Sequence, residues 1–378
     1  MKAVILAAGL GTRMRPFTFT RPKHMLPVAG KPILEHVITK LHGSGFKDII
    51  MVIGHQGEYI KDYFGDGTRF DLNIEYVTQE RRLGLAHALT CAENYLDDDF
   101  LVYLGDVLSD IRLNPLLKFH RENEAQATLC LAKVEDPSKF GVAKMSENRI
   151  THLVEKPRIP PSNLAVAGIY VFDPVIFEVI ETLEPSWRGE YEITDAVQGL
   201  VNRGELVLGY IIERWWKDTG HPFDLLEANM KFLSNISPDN KGDLDRDVII
   251  EGNVVIEERA IVRSGTRIIG PSYISRNTDI GPNCTIGPYT YICPGTKISS
   301  SSVIANSIVL DNVIISDDVF LERSIVGEGS ELASKVVAKG SNDEFGVVIG
   351  DFSVIGPMFH FRAGNVIGPY SKLDMVRR

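Results

Sequence analysis

Residues 250–304 read IEGNVVIEERAIVRSGTRIIGPSYISRNTDIGPNCTIGPYTYICPGTKISSSSVI. Every sixth residue is a β-branched aliphatic: Ile250, Ile256, Val262, Ile268, Ile274, Ile280, Ile286, Ile292, Ile298 and Ile304. A helix repeats at 3.6 residues and a flat strand at 2, so neither explains a period of six. A β-sandwich would show period-two strands and hairpin turns. A parallel β-helix does repeat this way, with one short side per hexapeptide and one aliphatic per side pointing inward. Gly, Pro, Asn, Asp and Ser fill the intervals and suit the corners. The register shifts and resumes as Ile308, Ile314, Phe320, Val326 and Leu332, then as Ile349, Ile355, Phe361 and Ile367. Three sides make a coil of ~18 residues, so roughly six or seven coils are predicted.

Upstream the pattern changes. KAVILAA (2–8), DIIMVIG (48–54) and FLVYLGD (100–106) are continuous apolar runs, and ILEHVITKLHGSG (33–45) is an amphipathic helix ending at glycines. Buried strands alternating with helices predict an α/β domain with a mostly parallel sheet. Ligands of such sheets lie beyond the carboxyl ends of the strands. The polar stretch SPDNKGD (237–243) marks a boundary. The predicted organisation is an α/β domain over 1–236, a linker over 237–246 and a β-helix over 247–378.

Two domains suit 378 residues. A net charge of −10 argues against a nucleic-acid binder, which needs a basic face, but leaves room for a basic pocket. The four cysteines form no CxxC pair and read as reduced thiols. There is no secretory pattern and no run of ~18 apolar residues, so a cytoplasmic protein is predicted, off the membrane.

The stretch LAAGLGTRMRPFTFTRPKHMLP (6–27) sets Gly9 and Gly11 beside Arg13, Arg15, Arg21 and Lys23. Glycines let backbone N–H groups approach an anion, and the cations add charge, so the loop suits a polyphosphate. It is neither a Walker loop, since Thr12 and Arg13 follow Gly11, nor a dinucleotide fingerprint, whose third glycine would fall at Met14. A tight turn with solvated cations is the plainer alternative.

This stretch resembles the signature of the sugar-1-phosphate nucleotidylyltransferases. The resemblance continues in family order through YVTQERRLGLAHAL (76–89), YLGD (103–106), VEDPSKFGV (134–142), VEKP (154–157), PPSNLAVAGIYVF (160–172), PSWRGEYEITDA (185–196) and WWKDTG (215–220). It covers essentially all of 1–236. The pattern is most similar to long-form glucose-1-phosphate thymidylyltransferases, and implies a Rossmann-like domain followed by a left-handed β-helix. Two positions depart. Ala8 stands where thymidylyltransferases usually carry glycine, a form common among uridylyltransferases. Val107 replaces a usual asparagine.

The resemblance implies that a sugar 1-phosphate attacks the α-phosphorus of a nucleoside triphosphate, releasing pyrophosphate. The nucleophile is already an anion, so positioning and charge neutralisation suffice. Arg13 and Lys23 are expected on the phosphates, with Leu6, Ala8, Gly9, Gly11 and Thr12 around the nucleotide. Asp106 and Asp218 are expected to share Mg²⁺, which takes hard oxygen ligands. Gln79 would read a pyrimidine's imide edge, and Gly84 would let the base pack on backbone. Gly141, Glu155, Val166 and Gly168 would line the sugar site, and Lys156 would pair with the sugar phosphate. Glu190 would touch the sugar or hold the pocket; Trp215 and Trp216 would form core or pocket wall.

Related β-helices in acyltransferases use a histidine as base. Here the helix region holds only His360, which reads as a packing or surface residue. Assembly is the expected role of the β-helix, as a homo-oligomer, because coil ends need covering. Alternatives to dTTP and glucose 1-phosphate are UTP with a glucose or N-acetylglucosamine phosphate, and a guanylyltransferase acting on mannose 1-phosphate. A different class is a catalytically silent nucleotide-sugar-binding regulator. It would show decay at Arg13, Lys23, Asp106, Lys156 or Asp218, and all five fit the pattern.

Overall fold

The computed structural model describes residues 1–341 and 344–374. By internal contacts the chain divides into two compact units. The first comprises Met1–Leu10 and Ile33–Asp218; the second comprises Gly11–Pro32 and the chain from Thr219 onward.

Nine strands build the sheet of the first unit: β1 Ala3–Ala7, β2 Asp48–Ile53, β3 Asn73–Thr78, β4 Phe100–Leu104, β5 Ala127–Lys133, β6 Gly141–Ser146, β7 Arg149–Glu155, β8 Leu164–Phe172 and β9 Val207–Ile211. Their order is β3-β2-β1-β4-β8-β5-β9-β7-β6. The run β3-β2-β1-β4 is parallel throughout, and β5 pairs with β9 in parallel. β8 runs antiparallel to β4 and β5, and β7 antiparallel to β9 and β6, so this end of the sheet is mixed. Every residue of β1 is buried, as an AVILA run covered on both faces requires. Helix α1, Ile33–Gly43, buries Ile33, Leu34, Val37, Ile38 and Leu41, one stripe at three- and four-residue spacing. Helix α2 spans Gly57–Phe64, α3 Leu85–Thr90, α4 Leu113–Glu122, α5 Val175–Ile180 and α6 Ile193–Arg203. Among the described residues no helix is long and apolar enough to cross a membrane.

The second unit contains a left-handed parallel β-helix, with three parallel sheets of eight, eight and seven strands among the described residues. Of the ladder read from the sequence, Ile256 through Ile304 are buried and form the core of the β-helix, whereas its first member, Ile250, is 38% exposed. From Ile308 to Phe320 the inward positions differ from the prediction by one, and at Val326, Leu332, Ile349, Ile355 and Phe361 they agree with it again. Val309, Ile315 and Leu321 pair with Ile292, Ile298 and Ile304 and fill the core, whereas Ile314 is 45% exposed. Ile308 is buried off this ladder and Phe320 is half-buried. Here each coil is one residue short of 18, because one corner drops a residue. Val326 pairs onward to Ile349 and Leu332 to Ile355, a longer coil whose surplus lies between the Val337–Ala338 and Val347–Ile349 strands. Residues 237–246, predicted as linker, carry the first two strands. Asp239–Asn240 pairs with Val255–Ile256, and Asp243–Leu244 with Ile261–Val262. That is why there are more rungs than predicted. At the corners, a side chain on Gly265 or Gly295 would collide with Asn283 or Asn312 of the next coil.

Also in this unit, Gly11–Pro32 runs as three short 3₁₀ turns, Thr12–Met14, Phe17–Phe19 and Lys23–Met25, and a small ladder of Pro27–Val28 on Lys31–Pro32. Helix α7, Pro222–Leu233, begins with proline in its first turn and a capping box between His221 and Asp224.

Candidate active site

In the first unit, the residues expected around the nucleotide gather at the carboxyl ends of β1, β2 and β3. Ala8 follows β1, and a side chain on Gly54, after β2, would strike the Ala8 carbonyl at 2.7 Å. Gln79 follows β3, its backbone N–H donating to the Ile53 carbonyl at 2.8 Å. Its side chain is 6% exposed. The amide nitrogen donates to the Gly84 carbonyl at 3.1 Å and lies 3.0 Å from His87 Nδ1, so both neighbours fix the amide's orientation. Gly84 has φ +104°, and a Cβ there would fall 2.5 Å from the Tyr191 carbonyl oxygen. On its Cβ side Gly84 therefore packs against the backbone of Tyr191, in the loop before α6. Leu6 is buried in the core of the sheet, in register with Val52 and Leu104. Gly9 is exposed.

The two aspartates come together through a short ladder. Val107–Ser109 runs antiparallel to Trp216–Asp218, with Asp218 opposite Val107 and therefore diagonal to Asp106. Asp106 is 8% exposed, in the turn after β4, where the Gly105 N–H donates to the Leu6 carbonyl at 2.9 Å. Trp216 anchors this ladder: its Nε1 donates to the Ala167 carbonyl at 2.8 Å, and its ring meets Phe140 edge-on. Among the described residues no group of three or more His, Cys, Asp or Glu is placed to hold a metal ion by itself. Two hard carboxylates on adjoining strands fit Mg²⁺, which takes its remaining ligands from water and phosphate.

The residues expected at the sugar converge as well. Glu155 stands opposite Gly141 in the β7–β6 ladder. A Cβ on Gly141 would fall 2.6 Å from Thr194 Cγ2, 3.1 Å from Glu155 Oε2 and 3.4 Å from Val166 Cγ2. Gly168, φ +75°, sits at an irregularity of β8 where a side chain would hit Leu104 and Val107. Thr194 Oγ1 donates to Glu155 Oε2 at 3.2 Å. Burial pushes the Glu155 carboxyl up, against the pull of Lys156, Thr194 and Arg188. Lys156 Nζ is 3.8 Å and Arg188 Nη1 3.5 Å from Glu155. Arg188 also holds Glu190 at 3.1 Å and Glu192 at 3.0 Å, so Glu190 helps to frame the pocket. Sequence reasoning passed over Arg188 and Thr194. The signal lay within PSWRGEYEITDA, where one arginine precedes two glutamates at i+2 and i+4.

In the second unit the signature loop separates its cations by role. Gly11 takes φ +61°; a side chain there would press on Lys23 and Thr18. Thr18 Oγ1 donates to the Gly11 carbonyl at 2.8 Å, and the Met14 N–H to the same oxygen at 2.8 Å. Thr12 and Arg13 are exposed, and the Arg13 guanidinium lies against Gly220. Arg15 stacks on Phe19 at 4.6 Å. Arg21, counted among the phosphate cations from sequence, is instead committed to Glu328 and Asp351.

Residues 2–235 match the Nucleotidyl transferase family model, and residues 268–374 match the GMPPB C-terminal domain. The chain belongs to the nucleotidyl transferase family, and its activity class is sugar-1-phosphate nucleotidyl transfer. It is 43% identical over 263 residues to the low-salt glycan biosynthesis nucleotidyltransferase Agl11 of Haloferax volcanii, covering 69% of this chain and 74% of that one. To glucose-1-phosphate thymidylyltransferase of Streptomyces antibioticus it is 42% identical over 277 residues, covering 72% and 78%. The bifunctional protein GlmU of Methanococcus maripaludis is 43% identical over 266 residues, covering 70% and 62%. A solved UDP-glucose pyrophosphorylase complexed with UDP-glucose superposes with TM-score 0.58 at 29% identity, covering 62% of this chain and 99% of that one.

Proposed function

We propose that the chain transfers a thymidylyl group from dTTP to glucose 1-phosphate, giving nucleotide-sugar and pyrophosphate. The observation that carries the reading is the convergence of Gly141, Glu155, Val166 and Thr194 in one wall, with Asp218 on a short ladder and Asp106 in the turn next to it. Glu155 accepts from sugar hydroxyls, and Lys156 pairs with the sugar phosphate. Arg13 and Lys23 bind the α-phosphate and the departing pyrophosphate, Arg as a fork and Lys as a point charge. Gln79 keeps its amide nitrogen on Gly84 and turns its oxygen to a pyrimidine N–H. Asp106 and Asp218 would hold Mg²⁺, which when bound neutralises phosphate charge. The free state of all four cysteines supports a reducing, cytoplasmic setting.

Ala8 supports a second reading, UTP as donor with glucose or N-acetylglucosamine 1-phosphate. Pyrophosphate release with Mg²⁺, glucose 1-phosphate and each of dTTP, UTP, ATP, CTP and GTP decides between them. Preference for dTTP with UTP second is the expected result; release with UTP alone moves the donor. Asp106→Asn should lower turnover by about 10²- to 10³-fold. Unchanged turnover would remove Asp106 from the reaction.

A further inference from the structure

The signature loop and the β-helix meet through a buried ion cluster. Asp351, 0% exposed, accepts from Thr20 Oγ1 and from Arg21 Nη2, the latter at 3.0 Å, both on Oδ2. Its Oδ1 accepts the Glu328 backbone N–H at 2.8 Å. Glu328 in turn binds Arg21 Nη2, and the Arg21 side chain is 12% exposed. One guanidinium nitrogen, Nη2, thus serves two carboxylates, Asp351 fully buried and Glu328 at the 31% exposed edge, and removing one partner of such a buried pair leaves the other charge uncompensated. The contact is reinforced on both sides. A Cβ on Gly350 would meet the Pro369 and Gly368 backbone at 2.6 and 2.8 Å and Pro16 Cβ at 2.9 Å, so Pro16 packs closely on this coil. Further along, Asn229 Oδ1 accepts the Ala29 N–H at 3.0 Å, and the Tyr273 ring covers Gly30.

We infer that Asp351 and Glu328 are positioning residues for the reaction: through Thr20 and Arg21 the β-helix holds the segment that carries Arg13 and Lys23. This rests on the proposed function, because it assumes that Arg13 and Lys23 bind phosphate. The β-helix is then part of the catalytic scaffold. Lys23 is two residues from Arg21, and Gly11 packs on Lys23, so a shift at the clamp moves both cations. Misplacing a phosphate-binding group by about 1 Å costs on the order of 10²-fold in rate.

The test uses the full chain and Asp351→Asn, which keeps the side-chain shape and removes its charge. Two measurements are taken, steady-state pyrophosphate release and amide hydrogen exchange. The expected result is a kcat about 10- to 100-fold lower with the sugar-phosphate KM unchanged, and faster exchange in peptides within 11–32 while peptides within 262–304 stay protected. Wild-type exchange in 11–32, or an unchanged kcat, overturns the inference. If peptides 262–304 also lose protection, the variant has unfolded. Thr20→Val, which removes the hydroxyl shared between Asp351 and the Phe17 carbonyl and leaves the ion pair, is then read by the same criteria. Should wild type release no pyrophosphate with any substrate pair, the proposed function falls, and loop exchange alone decides whether the clamp orders the loop.

Discussion

Glu155 carries a tension between folding and function. Burial favours its neutral form and so raises its carboxyl above the ordinary range. A carboxyl with a raised folded value favours the fold at low pH and costs stability once ionised at neutral pH. Its proposed task, accepting from sugar hydroxyls, needs the ionised form. The acid limb of kcat/KM for the sugar phosphate should therefore lie above the usual carboxylate range. Glu155→Gln should flatten that limb and lower kcat/KM by roughly 10- to 100-fold, as for one hydrogen bond to a charged group. The same variant should hold or raise Tm at pH 7. A pH–rate series and a melting curve check both signs; an unmoved acid limb would take Glu155 out of the sugar site. At this scale the sequence was informative where a motif names a side chain, as in VEKP or YLGD. It was silent where a role depends on what comes from far away: nothing in RPK says that Arg21 faces two acids.

The elements show how a periodic signal is read and where it slips. Ten aliphatics at one spacing marked the β-helix, and nine of them, Ile256 through Ile304, fill its core, because each inward position must fill the space left by the coil below; Ile250, on the first coil, stays 38% exposed. The slip after Ile304 was invisible because Ile308, Ile314 and Phe320 are apolar too, and hydropathy alone cannot choose between neighbours such as Ile314 and Ile315. Hydrogen-bonded pairing does choose, placing Ile315 on Ile298 and under Leu332. Ile315→Ala should cost about 2–5 kcal/mol by denaturant unfolding, and Ile314→Ala no more than ~0.5 kcal/mol. The reverse ranking would restore the unshifted register. The first two strands, in DNKGDL, were missed for a related reason: the rung that starts a solenoid has a core neighbour on one side only, so its composition stays polar.

For the whole molecule, the division by contacts does not follow the division by sequence. The motif that opens the chain belongs with the far end, since Gly11–Pro32 packs with α7 and the coils. Composition and period cannot show this, because they vary along the chain and the contact lies across it. The coils also leave apolar side chains outside, Met358, Val366 and Tyr370 among them. We propose that this region contributes to self-association, so light scattering should return a multiple of 42.0 kDa; a folded monomer at working concentration would end that proposal. The clamp on Arg21 also has a consequence for how the protein is made. Asp351 is added 330 residues after Arg21. At about 5–20 residues per second, the opening loop waits roughly 20 to 70 seconds for its anchor. A ribosome that stalls before that point leaves a nascent chain bearing every signature motif with its loop unclamped, so on the proposed role of the clamp full turnover is reached only after the coil bearing Asp351 is translated.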